Sequence, residues 1–266
     1  MSARRGFSRL ELLVWQIGLA LALIALWHVA ATTGLFGDPK TVRFFFSTPG
    51  EVFARIVKMF ASGQVWPHLW ITTQETALAF LIGAASGVMA GFALAMAPRV
   101  AAVLDPYIKA ANALPRVVLA PIFMLWFGLG VWSKVALGVT LVFFIVFFNV
   151  YQGVKETSPV VIANARMLGM NKAQLFRHVY WPSAMSWMFS SLHASVGFAM
   201  VGAVVGEYLG SSAGLGYLIH EAEGVFDVTG VFAGMFVLAA FVLVVDHLVT
   251  LIERRLLAWS PQAGQR

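Results

Sequence analysis

The chain repeatedly runs for about 20 residues with hardly a charge, and no other feature limits its possible folds so sharply. A run of that length crosses a hydrocarbon core of about 30 Å as a helix, because a helix satisfies its own backbone polar groups in lipid. Such runs fall near residues 11–31, 70–97, 102–126, 134–154, 183–208 and 231–252. Only 11% of the 266 residues are charged, against about 25% in a soluble domain. The sequence therefore predicts an all-α, polytopic membrane protein with six spans. Its transmembrane domain is expected over residues 11–259, between tails at 1–10 and 260–266. The first run lacks a small-residue cleavage site and reads as a retained span. The third carries Pro106, Pro115 and Pro121, so a kinked or broken helix is expected there.

The bases lie at the ends of these runs, which fits positive-inside topology better than a nucleic-acid stripe, despite a net charge of +6. Even numbering places both termini on one side. With them go Arg4, Arg5, Arg9, Arg99, Lys155, Arg166, Lys172, Arg177, Arg254, Arg255 and Arg266, so that side is expected to be cytoplasmic. The opposite face receives Lys40, Arg43, Arg55, Lys58 and Lys134, while Lys109 and Arg116 fall within the third span. The absence of cysteine excludes disulfides and thiolate chemistry, and leaves the redox compartment undecided.

Two segments between spans have helical patterns of their own. In "STPGEVFARIVKMFASGQVW", Ser47 or Thr48 would cap a short amphipathic helix begun by Pro49, with Val52, Ile56 and Met59 on one face. It is expected at the outer membrane surface. The second segment, "ANARMLGMNKAQLFRHVYWPSA" (163–184), falls on the cytoplasmic side. Residues 160–168 favour a helix that Gly169 can close in a left-handed turn. Asn171 stands at capping-box spacing from Gln174, opening a second short helix from Lys172 to Trp181. On that helix Leu175, Phe176, Val179 and Tyr180 share a face, and Pro182 is placed to open the fifth span. A helix this short needs cover for its apolar face. The chain's own bundle, the headgroup layer or a partner protein could each supply it.

These residues resemble the cytoplasmic loop motif of bacterial ABC-importer permeases, E-A-A-x(3)-G-x(9)-I-x-L-P. Gly169 and Pro182 stand at its glycine and proline, Val179 at its Ile and Ala165 at its second Ala. Ala163, Asn164 and Trp181 depart from it, and an acidic contact usual in the family is missing. "ALPRVVLAPIFMLWFGLGVWSKV" (113–135), "FFNVYQGVK" (147–155), "GEYLGSSAGLGYLI" (206–219) and "VVDHLVTLIERRLLAW" (244–259) are similar to the sulfonate, nitrate and taurine branch. The resemblance implies a type I ABC-importer permease fold in the bacterial inner membrane. It also implies a homodimer, two cytoplasmic ATPase subunits and an extracytoplasmic solute-binding protein. In such systems the loop helix sits in a groove of the ATPase. That carries a coupling role onto Ala165, Gly169, Asn171, Lys172, Leu175, Phe176, Arg177, Val179, Tyr180 and Pro182, within a coupling loop spanning 155–182. The sequence contains no G-x(4)-G-K-[ST] phosphate loop, so if ATP drives transport another chain binds it. No cofactor is implied.

Other residues are open to two readings each. Gly83, Gly87 and Gly91, at i, i+4 and i+8, let a second helix approach closely, within the chain or in a second copy. Lys109 and Arg116 either pair with Glu75, Asp105 or Glu207, or snorkel at the interface, or form a cationic lining that favours an anionic solute. His193, beside Ser190, Ser191 and Ser195, either bonds a neighbouring backbone or lines the path; Ser191 and Glu207 join it as path candidates. "HEAEG" (220–224) lacks the second His of a zinc site. Glu221, Glu223 and Asp227 are expected in an acidic outer loop, and "GSSAGLG" (210–216) in a turn of an outer gate.

Three function classes compete. A permease subunit of an ATP-driven importer fits the loop. A self-sufficient carrier needs a coupling-ion site, and a membrane enzyme needs a nucleophile–base or metal cluster; neither is evident in the sequence. Aliphatic sulfonates, taurine and nitrate lead as substrates, with pyrimidine precursors, riboflavin-like compounds and aromatic acids behind them.

Overall fold

A computed structural model describes residues 8–33 and 37–256. Arg4, Arg5 and Arg266 of the basic count lie outside the described residues, as do the side chains of Arg9 and Arg254. So do most of the 1–10 tail, the 260–266 tail and the end of the 244–259 likeness.

The described residues form helices and turns: α1 Arg9–Thr32, α2 Pro39–Phe46, α3 Pro49–Ala61, α4 Val65–Ala95, α5 Pro98–Ala113, α6 Ala120–Phe127, α7 Val131–Lys155, α8 Pro159–Met167, α9 Lys172–Leu175, α10 Trp181–Leu209, α11 Leu215–Gly224 and α12 Val228–Leu256. A 3₁₀ turn, Arg116–Leu119, precedes α6, and a π-helical turn, Phe176–Tyr180, joins α9 to α10. Among the described residues five stretches are long and apolar enough to cross a membrane, and the bent pair formed by α5 and the Arg116–Phe127 segment makes a sixth if it counts as one broken span. That pair turns by 86°. Of the three prolines that the sequence reading marked, only Pro115 makes the break. The residue before a proline is driven out of the α region, and Leu114 is extended, with ψ 131°. Pro106 stays inside α5, and Pro121 opens α6 where a missing N–H costs nothing.

The chain separates into two compact units. The first contains residues up to 64 together with 219–237. Here Thr48 caps α3, its hydroxyl accepting the Glu51 N–H, and Pro49 takes the first position. Val52 and Met59 are buried and Ile56 is half-buried, as the pattern predicts. Ser47, the alternative cap, ends α2 instead at a left-handed φ of 53°. Its hydroxyl lies 2.8 Å from that of Thr229. α2 itself had no counterpart in the sequence reading, since eight residues give only two turns of periodicity. Trp27 of α1 stacks on Phe236 and donates from Nε1 to the Phe46 carbonyl. Arg55 pairs with Asp227, which also accepts the Gly230 N–H at the start of α12. Asp227 thus caps a helix, and Glu221 and Glu223 lie within α11. The expected acidic outer loop is corrected to a helix and a cap.

The second unit contains 65–218 and the rest of the chain from 238. Its core is α4, α7 and α10. In lipid no hydrophobic drive separates one apolar helix from another, so close backbone approach decides which helices pack. Gly83, Gly87 and Gly91 face Val142, Val146 and Val150 of α7, and a methyl group on any of them would collide there. The stripe is therefore spent within the chain. Gly138 sits equally tightly between Ala79 and Ala199.

Candidate functional site

The segment from 159 to 182 is built from local signals. Pro159 starts α8. After its last turn Gly169 takes φ 79°, the Met170 N–H reaches back to the Ala165 carbonyl, and the Gly169 N–H to that of Arg166. This is the six-to-one closure that a left-handed glycine permits. Asn171 and Gln174 then exchange side chain-to-backbone bonds of 2.9 Å each, the reciprocal box that satisfies two free N–H groups at a helix start.

The second helix does not end at Pro182. One continuous helical stretch runs from Lys172 to Leu209, which corrects the expected separation between a short helix and the fifth span. A proline ring clashes with the carbonyl four residues back and supplies no N–H. Here the wider π turn absorbs the misfit, with the Trp181 N–H bonding the Phe176 carbonyl five residues away. Loop and span are one rod.

The apolar face of that rod is covered by the chain itself. Leu175 and Val179 are buried with Ala165 against Ile162, Met170 and Tyr180. Phe176 and Trp181 close on Phe92 of α4, each ring centre 5.2 Å from it. Of the coupling candidates, Ala165, Leu175 and Val179 are thus interior, and Phe176 and Tyr180 half-buried. The exposed part is the elbow: Met167 and Leu168 are 86% and 79% exposed, beside exposed Gly169, Asn171, Lys172, Gln174 and Arg177, with Pro182 also exposed.

A second constellation lies among α4, α7 and α10, and the sequence reading missed it. Lys134, assigned to the outer face, is fully buried. Its ammonium donates to the carbonyls of Leu129 and Gly130. Glu75 and Glu207 are buried with it. Thr72 Oγ1 donates to Glu207 Oε1 at 2.6 Å, and the Gly216 N–H to Oε2 at 2.7 Å. Thr72 also accepts the Leu215 N–H, and His68 Nδ1 the Gly214 N–H. Three successive amides of the glycine-rich turn are thereby pinned to side chains. The signal was available: His68, Thr72 and Glu75 sit at i, i+4 and i+7, a polar stripe on an otherwise apolar helix.

The path candidates divide. Lys109 is ion-paired with Asp105 at 2.6 Å, not with either buried glutamate. Arg116, at the break after α5, reaches the side chain and carbonyl of Asn112 and lies 4.9 Å over the Phe144 ring. All these partners are neutral. Ser191 is buried and donates to its own helix, and Glu207 is sealed in the polar cluster; neither faces open space. His193 lies 2.8 Å from Glu253 and 3.7 Å from Asp246 of α12, so carboxylates stand beside it where the sequence offered a neighbouring backbone or the path.

Residues 83–258 match the family described as "Binding-protein-dependent transport system inner membrane component". The chain is 33% identical over 247 residues to the Bacillus subtilis (strain 168) protein named "Putative aliphatic sulfonates transport permease protein SsuC", covering 92% of this chain and 88% of that one. It is 31% identical to the formylaminopyrimidine transport permease protein ThiX of Halalkalibacterium halodurans, covering 90% and 93%. A solved structure of the MetNI methionine ABC transporter in inward-facing conformations has a chain that superposes with a TM-score of 0.62 at 14% identity, over 74% of this chain and 97% of that one. That similarity shows a shared fold.

Proposed function

Because the chain belongs to the binding-protein-dependent transport system inner membrane components, the permease subunits of ABC importers and not themselves enzymes, we propose that it forms the transmembrane path for a small anionic solute, with a separate ATPase moving it through the 163–182 segment. The observation that carries this reading is the exposed Met167–Leu168 elbow at the end of a rod that runs unbroken to Leu209. A push on the elbow is transmitted along a continuous helix into the packed core of α4, α7 and α10. The contact offered to the ATPase is two exposed apolar side chains, with exposed Lys172, Gln174 and Arg177 on the helix that follows, rather than the Leu175–Val179 face.

In this reading the elbow and both termini are cytoplasmic in an inner membrane, and two copies assemble with two ATPases and an extracytoplasmic solute-binding protein. Arg116 supports an anionic solute, because among the described residues its charge meets no carboxylate partner, while Asp105 neutralises Lys109. Among such solutes an aliphatic sulfonate, taurine or nitrate fits, and a sulfonate agrees with the Bacillus subtilis relative's name. A pyrimidine precursor is the second reading, favoured by the relative named for formylaminopyrimidine.

The test is co-purification from membranes followed by reconstitution. An ATPase carrying a phosphate loop should accompany the chain, and uptake of a sulfonate should require ATP and fall in Arg116→Gln. Uptake by the chain alone without nucleotide would remove the proposal. Unchanged sulfonate uptake in Arg116→Gln would remove its anionic part.

A further inference from the structure

The buried cluster has more carboxylate than its lysine can neutralise. Glu75, Lys134 and Glu207 are each at most 1% exposed, and both glutamates feel the single ammonium. Ionised carboxylates only accept hydrogen bonds, and two of them buried beside one ammonium would leave an uncompensated negative charge inside the membrane domain.

The surroundings say which of the two is protonated. Glu207 faces donors on both oxygens, the Thr72 hydroxyl and the Gly216 N–H, which is the setting of an anion. Glu75 Oε2 is buried and has no hydrogen-bond partner among the described residues, which an anion could not sustain so deep in the protein. We propose that Glu75 and Glu207 form a proton-binding site within the membrane domain, its single proton carried by Glu75 while Glu207 stays ionised opposite Lys134. With that proton the cluster is neutral, and Glu207 keeps the turn amides. Without it, a second negative charge faces Glu207 and competes for Lys134.

The site tests without ATPase or solute, so it stands or falls separately from the transport reading. Infrared spectra of the purified chain in lipid discs at neutral pH, with ¹³C-labelled glutamate, should show a protonated-carboxyl band that shifts with the label and in D₂O. It should vanish in Glu75→Gln and persist in Asp105→Asn. Absence of the band in the wild type overturns the proposal, as does its removal by sodium ions, which would make the occupant a metal cation.

Thermal unfolding gives a second readout. The folded protein holds a proton on Glu75 that the unfolded chain lacks at neutral pH. Raising the pH should therefore weaken the wild type, up to about tenfold in the folding equilibrium per pH unit. The other titratable groups around Glu75 are Glu207, Lys134 and, along α4, His68. They are common to wild type and Glu75→Gln, so subtracting the two profiles isolates the proton. Glu75→Gln should lose that part of the slope; parallel profiles overturn the assignment.

Discussion

Two glycine turns in the same unit look alike in sequence and are opposites in structure. At Gly169 an added Cβ would meet nothing within 4 Å, and the glycine is needed for its φ of 79° alone. Gly216 stands second in α11 with no such φ, although Gly214 just before the helix has φ 113°. There an added Cβ would press on the Val204 carbonyl and lie 3.0 Å from Glu207 Cβ and 3.1 Å from the Tyr208 nitrogen. One turn uses glycine to change direction in open space; the other uses it to let a backbone close on a buried carboxylate. On the proposed coupling role, the first turn has to stay uncovered to meet a partner. A turn that seals a polar cluster has to exclude everything, including a methyl group.

The largest effect is expected where space is missing. Gly216→Ala should cost about 1–3 kcal/mol in overpacking, plus whatever the Gly216–Glu207 bond loses as the turn is displaced. Thermal unfolding in detergent should show a melting temperature lower by several degrees and less assembled protein in membranes. A melting temperature equal to wild type would mean that the turn yields freely, and the contrast with Gly169 would collapse.

Gly169→Val should spare the fold and damage the function. A β-branched residue resists the left-handed region, at a cost of roughly 1–2 kcal/mol, but there is nothing to collide with. We expect uptake to fall about tenfold or more, or the ATPase to be lost on purification, with a smaller melting shift than in Gly216→Ala. Gly169→Asn should recover much of the uptake, since asparagine tolerates that backbone. Wild-type uptake with normal ATPase co-purification in Gly169→Val would remove the elbow from the coupling path.

The same contrast explains what could be read from sequence. The elbow was legible because its devices are local: a glycine at Gly169 and the Asn171–Gln174 spacing act within a few residues of themselves. The apolar runs, and a break somewhere among Pro106, Pro115 and Pro121, were legible for the same reason, though not which proline makes it. The cluster of Glu75, Lys134 and Glu207 was not, because its members stand far apart along the chain and only helix packing brings them together. Lys134 also stands at the edge of an apolar run, where sequence reading places bases in loops. The cover over Leu175 and Val179 was undecidable by periodicity, which says that a face is apolar but not what lies against it. The π turn was hidden because Pro182 can either start a helix or distort one already under way.

Smaller effects are expected where polar bonds face water. Asn171→Ala removes one half of the box and should cost about 1 kcal/mol of local helix stability. Hydrogen exchange at Ala173 and Gln174 should quicken while the melting temperature hardly moves. Protection equal to wild type would mean that packing of Leu175 and Val179 alone holds that turn.

The smallest belongs to α3, in the other unit. The Arg43 guanidinium, with help from the Thr48 and Ser47 hydroxyls, holds the Glu51 carboxyl below its ordinary range despite partial burial. A lowered carboxylate contributes in full above its unfolded value, about 4.3, and loses the contribution as pH falls through the folded one. Glu51→Gln should therefore differ from wild type by a small, constant amount at neutral and alkaline pH, and the two should converge only in acid. The difference should also shrink with added salt, since both side chains reach solvent. Glu75→Gln should diverge from wild type in the opposite direction on the pH scale, toward alkali. If both variants gave the same pH profile, exposure would not be what separates the two kinds of glutamate in this protein.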